Sequence, residues 1–336
     1  MTEDQLKEYR AAAEATAQEQ LRIQAEVDAI DKKNKKKSDD EESAPEGVQA
    51  GARKEPDGDM PEQHLQKPGL EADMELRPRY DAPDYKGSEK LKDRVALITG
   101  ADSGIGRSVA VLFAREGADV AIVYLNEHED AEETKRAVEK EGRRCILIPG
   151  DVRDSAFCDA AVEHTVKEFG KLNVLVNNAA FQEHVQKLED LSDAHLDMTM
   201  RTNIYGYIHM ARAALPHLKR GDSIVCTGSE TGLFGKGTLL DYSATKGAIH
   251  AFAMSLASSV AERGIRVNVV APGPVWTPLN PADAPVDEIA SFGQSTEMKR
   301  PAQPEELAPA YVFLASPVCS SYITGAILPV MGGSTG

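Results

Sequence analysis

The sequence predicts an α/β fold, a single parallel sheet of seven strands sandwiched between helices, and three observations carry that prediction. Short apolar, β-branched runs recur from Lys92 onward, helical patterns fill the intervals between them, and no linker interrupts the alternation. A strand covered on both faces needs apolar residues on both, so it reads as a continuous apolar run. Regular repetition of strand and helix is the mark of a doubly wound sheet.

In chain order, residues 1–57 read as a charged, largely disordered extension, because few aromatics and, after Ser43, many Pro and Gly leave too little apolar surface to offset chain entropy. Within it, residues 3–30 lack Pro and Gly and carry Leu6, Tyr9, Ala13, Ala17, Leu21 and Val27 at near-helical spacing. That apolar face is thin, so a solitary helix frayed at the surface is expected, and removal of the extension should leave activity and stability intact. The strands are expected at Val95–Thr99, Val120–Tyr124, Cys145–Pro149, Val174–Asn177, Ser223–Thr227, Arg266–Ala271 and Ala326–Val330. Helices are expected over Ser108–Arg115 and from Tyr242 to about Arg263.

Composition narrows the function classes. The hydrophobic fraction of 41% and charged fraction of 27% are those of an ordinary soluble protein, no run is long enough to span a bilayer, and the charged start lacks a signal-peptide core. A cytoplasmic location is therefore expected. Cys145, Cys158, Cys226 and Cys319 are widely spaced, and His184, His195, His209, His217 and His250 show no ligand spacing, so free thiols and metal-free chemistry are expected. The formal net charge of −16 argues against a nucleic-acid partner. The Lys32–Lys37 run is followed at once by the acidic run Asp39–Glu42 and reads as a solvated charge block.

The first strand runs into Thr99-Gly100-Ala101-Asp102-Ser103-Gly104-Ile105-Gly106-Arg107 and then a helix. A pyrophosphate lies against the free N–H groups of a helix start when no side chain obstructs it. Gly100 suits a sharp turn, Gly104 an approach to phosphate, and Gly106 close packing of helix on strand. The second strand ends at Tyr124-Leu125-Asn126, where an acidic residue would select NAD through the ribose 2′-hydroxyl. The absence of an acid there leans the reading slightly to NADP over NAD, with Arg107 the nearest phosphate contact. Glu127 inverts the preference if the loop turns inward.

A second cluster holds Ser229, Tyr242 and Lys246. Tyr and Lys four apart share one helix face, so the ammonium is expected to stabilise a phenolate and lower the Tyr242 pKa. Carbonyl reduction needs such a proton donor, because hydride arriving at carbon leaves a developing alkoxide. Ser229 can hydrogen-bond the same oxygen.

The ordered set, phosphate loop, then Asn177-Asn178-Ala179-Ala180, then Ser229, then Tyr242 and Lys246, resembles the short-chain dehydrogenase/reductase family from about Lys92 to Gly333. Ala180 stands where that pattern has Gly. The resemblance implies a Rossmann-type catalytic domain over residues 92–336. It implies Asn203, Ser229, Tyr242 and Lys246 as catalytic residues, Asn203 holding a water that relays protons from Lys246. The Ser-to-Tyr separation, 242 − 229 = 13, is the family's. It further implies cofactor contacts from Gly100, Asp102, Ser103, Gly104, Ile105, Gly106, Tyr124 and Asn126. Asp151 and Val152 would meet the adenine, Asn178 and Ala179 the nicotinamide side, and Pro272, Gly273, Val275 and Thr277 the carboxamide.

More narrowly, Pro61–Gly87 and Phe292-Gly293-Gln294 resemble a bacterial subgroup that includes NADP-dependent aldehyde reductases and general-stress dehydrogenases. That likeness implies an arm over residues 58–91 lying on the body, and a homotetramer. Residues Pro278–Met298 read as a lid, with Phe181, Gln182, Trp276, Leu233 and Phe234 expected to line a pocket for a small carbonyl or alcohol substrate. A catalytically weak scaffold or redox sensor is the rival reading, but it has no need of a proton relay.

Overall fold

The computed structural model describes residues 1–34 and 45–333. The strands are β1 (Val95–Thr99), β2 (Asp119–Tyr124), β3 (Cys145–Pro149), β4 (Val174–Asn177), β5 (Ser223–Thr227), β6 (Arg266–Pro272) and β7 (Ile327–Val330). They form one seven-stranded parallel sheet in the order β3-β2-β1-β4-β5-β6-β7. The order reverses direction between β1 and β4, which opens a crevice at the carboxyl ends of those strands. Residues of β1, β2, β4, β5 and β6 are buried throughout, as a sheet covered on both faces requires.

The helices are α1 (Glu3–Asn34), α2 (Gly104–Arg115), α3 (His128–Lys140), α4 (Ser155–Phe169), α5 (Asp193–Met200), α6 (Gly206–Ala214), α7 (Thr231–Phe234), α8 (Leu240–Val260), α9 (Val286–Ile289), α10 (Pro304–Ala315) and α11 (Pro317–Ser320). One apolar core gathers α2, α10 and part of α3 on one face of the sheet; α4, α6 and α8 pack a second core on the other. No described helix is long and apolar enough to cross a membrane.

The structure departs from the sequence reading at the N-terminus. Far from fraying at the surface, α1 lies on the body and buries Ala13, Thr16, Ala17, Gln20, Ile23, Gln24 and Val27. Hydrophobic periodicity underrates this stripe because three of its members are polar, and two of them, Thr16 and Gln24, find hydrogen-bond partners in the rest of the chain. Tyr9 meets Phe157 edge to face at 5.1 Å, Glu14 accepts from Asn126 and Glu19 pairs with Arg153. Residues beyond the helix also follow the body: Val48 N donates to Met298 O, and Arg53 pairs with Glu305. Most of the Lys32–Lys37 and Asp39–Glu42 charge block falls in residues 35–44, outside the described residues.

The arm is pinned by burial and charge together. Met60, Leu65 and Met74 form a small core with Trp276, Ala282 and Ile289. Glu71 reaches the start of α2, accepting from Gly104 N at 2.7 Å and pairing with Arg107. Asp130 in turn accepts from Glu71 N at 2.6 Å.

Candidate active site

One cavity of about 730 Å³ runs along the carboxyl ends of the strands, from Asp151 and Val152 past the 100–105 loop to Tyr242 and Lys246. Its size and its position at the switch point are those of a cofactor cleft. The loop between β1 and α2 forms one wall with Gly100, Asp102, Ser103, Gly104 and Ile105. Gly100 has φ +63°, and a Cβ there would lie 2.9 Å from Ala179 Cα. Gly106 does not line the cavity; a Cβ on it would come within 2.0 Å of Gly100 O, so its absence lets α2 pack onto the loop. Ser103 precedes α2 without capping it, its hydroxyl donating instead to Asp102 Oδ2 at 2.8 Å. Glu71 of the arm takes the first N–H of α2, that of Gly104; the N–H groups that follow it, the close backbone approach and the length of the cavity together fit a dinucleotide with its pyrophosphate at α2.

At the adenosine end, Tyr124, Asp151 and Val152 line the cavity and Asn126 does not. The Asn126 amide turns to Glu14 of α1, while its backbone N–H donates to Glu127 Oε2 at 2.9 Å. Glu127 turns inward and, with Asp102, lines the cavity; burial raises the pKa of both carboxyls. Arg107 is not at hand for a phosphate. It is fully buried, bonded to Asp102 O and Thr134 and paired with Glu71 and Asp130.

The reaction end brings Ser229, Tyr242 and Lys246 to one stretch of wall. Lys246 Nζ donates to Thr227 O at 2.9 Å and lies 5.3 Å from the centre of the Tyr242 ring. Burial pushes the Lys246 amine down to about 7 and the Tyr242 phenol up, and the hydrogen bond from Ser229 pulls the phenol back. The expected lowering of Tyr242 by its lysine is thus not what the geometry gives. Desolvation raises the phenol, and the serine hydroxyl is the group that lowers it. Ser229 Oγ also accepts from Thr231 N at 3.1 Å.

Asn178 and Ala179 line the cavity between loop and reaction end, Asn178 Nδ2 donating to Gly100 O at 2.9 Å. Pro272, Gly273, Val275 and Thr277 line it opposite. Asn203 lies behind the wall, in a π-helical turn over Arg201–Tyr205. Its side chain accepts from Phe181 N at 2.8 Å and donates to Phe181 O and Thr245 Oγ1, fixing the backbone of the loop that follows β4.

At the substrate end, Phe181 and Gln182 line the cavity, but Trp276 does not. Trp276 is fully buried, its Nε1 donating to Leu76 O at 2.7 Å: an aromatic that anchors the arm. Leu233 and Phe234 are exposed at the surface.

Several lining residues escaped sequence reasoning: Thr16 and Gln20 from α1, Lys67 from the arm, and His184 and Asp283. Asp283 accepts from His184 Nδ1 at 2.9 Å, and His184 Nε2 meets Asp31 of α1 at 2.6 Å. Burial alone would lower the His184 pKa, but bonds to Asp283, Glu183 and Asp31 raise it to about 11. Glu183, His184 and Asp283 lie close enough to share an ion. Lys67 Nζ, 3.0 Å from Glu183, and the protonated His184 already compensate these carboxylates. The only sequence signal for this network was a run of polar residues after the Asn-Asn-Ala-Ala element.

Comparison with known proteins places this geometry. Residues 100–335 match the family described as Enoyl-(Acyl carrier protein) reductase. General stress protein 39 of Bacillus subtilis is 53% identical over 268 residues, covering 80% of this chain and 93% of that protein. The NADPH-dependent aldehyde reductase 1 of Arabidopsis thaliana, a chloroplastic protein, is 48% identical over 278 residues, covering 81% of this chain and 96% of its own. The crystal structure of a short chain dehydrogenase from Burkholderia cenocepacia J2315 in complex with NADP superposes with a TM-score of 0.69 at 33% identity, over 73% of this chain and 98% of that one.

Proposed function

The chain belongs to the short-chain dehydrogenase/reductase family, and from that premise we propose that it moves a hydride between a nicotinamide dinucleotide and the carbonyl or alcohol carbon of a small aldehyde, ketone or sugar-like polyol. The observation that carries the reading is the meeting of Ser229, Tyr242 and Lys246 on the wall of the cavity that also holds the glycine loop. In this reading the 100–105 loop and the α2 start hold the pyrophosphate, Asp151 and Val152 the adenine, and Val275 and Thr277 the nicotinamide side. The bound dinucleotide supplies or accepts the hydride.

The chain's own residues handle the proton. Ser229 and Tyr242 hydroxyls hold the substrate oxygen, and the Tyr242 hydroxyl gives its proton to the alkoxide as it forms, or takes it in the reverse direction. Lys246, buried beside the phenol and titrating near neutrality, supplies positive charge when protonated. Asn203 holds the Phe181 backbone beside the substrate and sits one residue from Thr202, which borders the cavity; its proposed part in proton relay runs through that turn.

Both NAD and NADP fall within the reading. The NADPH-dependent relative supports NADP, and Asp102, whose pKa burial raises only to about 6, favours NAD at neutral pH because an ionised carboxylate repels a 2′-phosphate, whereas Glu127, raised to about 8, adds that repulsion only at higher pH. We take the assembly to be a homotetramer, supported by exposed Tyr205, Ile208 and Met254 on neighbouring elements and by Phe313, Val318 and Tyr322 on another face. A cytoplasmic location accords with the buried free thiols of Cys145, Cys158 and Cys226.

The test is Tyr242→Phe, assayed with a panel of aldehydes, ketones and polyols and with NADH and NADPH in parallel. Turnover should fall by about 10²-fold or more while dinucleotide affinity changes little. Undiminished turnover would remove Tyr242 from the chemistry.

A further inference from the structure

The helix α1 crosses the adenosine end of the cavity, and four of its polar side chains are engaged there or beyond. Thr16 Oγ1 donates to Asp151 Oδ2 at 2.6 Å, reaching the residue assigned to the adenine. Gln20 is only 6% exposed, borders the same cavity, and makes no hydrogen bond to the described residues. Its amide atoms are not sealed in the protein interior, so on this buried side chain they stay open to whatever fills the cavity. One turn on, Gln24 donates to Leu65 O at 2.9 Å and Ala282 O at 3.0 Å, and accepts from Lys67 N at 3.0 Å. Near the end of the helix, Asp31 meets His184, which Asp283 holds from the other side. The helix therefore bonds to the fixed body at Asp151 and to the arm and the 278–298 segment at the substrate end.

Resting on the dinucleotide reading of the cavity, we propose that α1 is the outer wall of the adenosine half of that site, with Thr16 and the Gln20 amide closing over the adenosine, so that dinucleotide exchange requires the helix to lift. The helix is a roof and not a plug: with α1 in place the cavity still runs continuously from Thr16 and Gln20 to Tyr242 and Lys246. The Gln20 amide presents both a donor and an acceptor, which matches the edge of a purine and the hydroxyls of a ribose. Because α1 also holds Leu65, Ala282 and His184, its release would loosen the substrate end at the same time.

The experiment is release of NADH and NADPH followed by stopped-flow fluorescence, with equilibrium binding alongside. It uses the full-length chain, a chain beginning at residue 45, and Gln20→Leu and Thr16→Val in the full-length chain. The shortened chain should release dinucleotide about tenfold faster or more, and Gln20→Leu should bind several-fold more weakly with its melting temperature unchanged. Unaltered release and affinity in the variants would overturn the wall. Should the shortened chain fail to fold, tryptic cleavage at Arg10 and Arg22 in the intact protein decides. Saturating dinucleotide should slow cleavage within α1 several-fold, and equal rates would overturn the proposal. If the intact chain binds neither dinucleotide, the functional reading falls and the wall with it; binding with α1 indifferent sinks the wall alone.

Discussion

At Lys246 burial and charge oppose each other, and the balance is measurable. The amine's pKa falls from 10.5 to about 7 on folding. Between those values the unfolded chain binds a proton that the folded one does not, so this group makes stability rise as pH rises from about 7 to 10.5. His184 works the other way, its folded pKa raised to about 11: its contribution is full below its unfolded value near 6.5 and is lost as pH climbs towards 11. The difference in thermal stability between the parent and Lys246→Met, in the absence of dinucleotide, isolates the first effect. The parent should gain relative to the variant as pH is raised from 7 to 10, and a flat difference would show the amine to be unperturbed. Glu127 offers a second residue-level test. Burial raises its pKa to about 8, so replacement by Gln removes a carboxylate charge only above that pH; at pH 9 the ratio of kcat/KM for NADPH over NADH should rise by about tenfold, the equivalent of one pKa unit of interaction, and at pH 7 by less. An unchanged ratio would show that the carboxyl does not sense the 2′-position.

Among the elements, the segment after β6 shows how a motif can be read correctly and one of its residues misplaced. Val275 and Thr277 face the cavity as the motif implies, but Trp276 between them points to the opposite side, into Met60, Leu65, Met74 and Ile289. Alternation along an extended chain turns neighbouring side chains to opposite faces, and an indole finds more apolar area under the arm than in a polar cavity. Trp276→Ala should therefore cost stability, about 3–5 kcal/mol by urea denaturation, and expose the arm to proteolysis. An effect confined to the substrate KM, with stability intact, would return Trp276 to the pocket. The same reasoning covers the loop glycines. Gly100 and Gly106 were legible because a strand-loop-helix order leaves few conformations open. The partners of Arg107 were not, because Glu71 lies 36 residues earlier in the chain.

For the whole molecule, the expectation that residues 1–57 can be removed without loss gives way to the opposite one. The chain beginning at residue 45 should melt several degrees lower than the parent, since a buried stripe of α1 and its bonds to Asp151 and Ala282 go with the helix. Equal melting temperatures would mean that α1 contributes nothing to stability. Assembly is testable on the same scale: Met254→Lys, at an exposed apolar position, should lower the mass measured by light scattering below that of a tetramer. A parent that is itself monomeric would refute the tetramer.

What the sequence determined by itself is the α/β sheet, the glycine loop between β1 and α2, and the placing of Ser229, Tyr242 and Lys246 on the wall of one cavity. These follow from local rules: apolar runs that suit only a covered strand, glycines where a turn must be tight, and side chains four apart that must share a helix face. Tertiary structure alone decided that Thr16 and Gln20 of α1 line the cavity, that Glu127 turns inward, that Arg107 is spent on the arm, and that burial sets the Tyr242 and Lys246 pKa values. Each depends on partners distant in the chain, Thr16 and Asp151 being 135 residues apart. The periodicity of a segment reports which face will be buried, but not the polar surface that meets it or how much water that meeting removes.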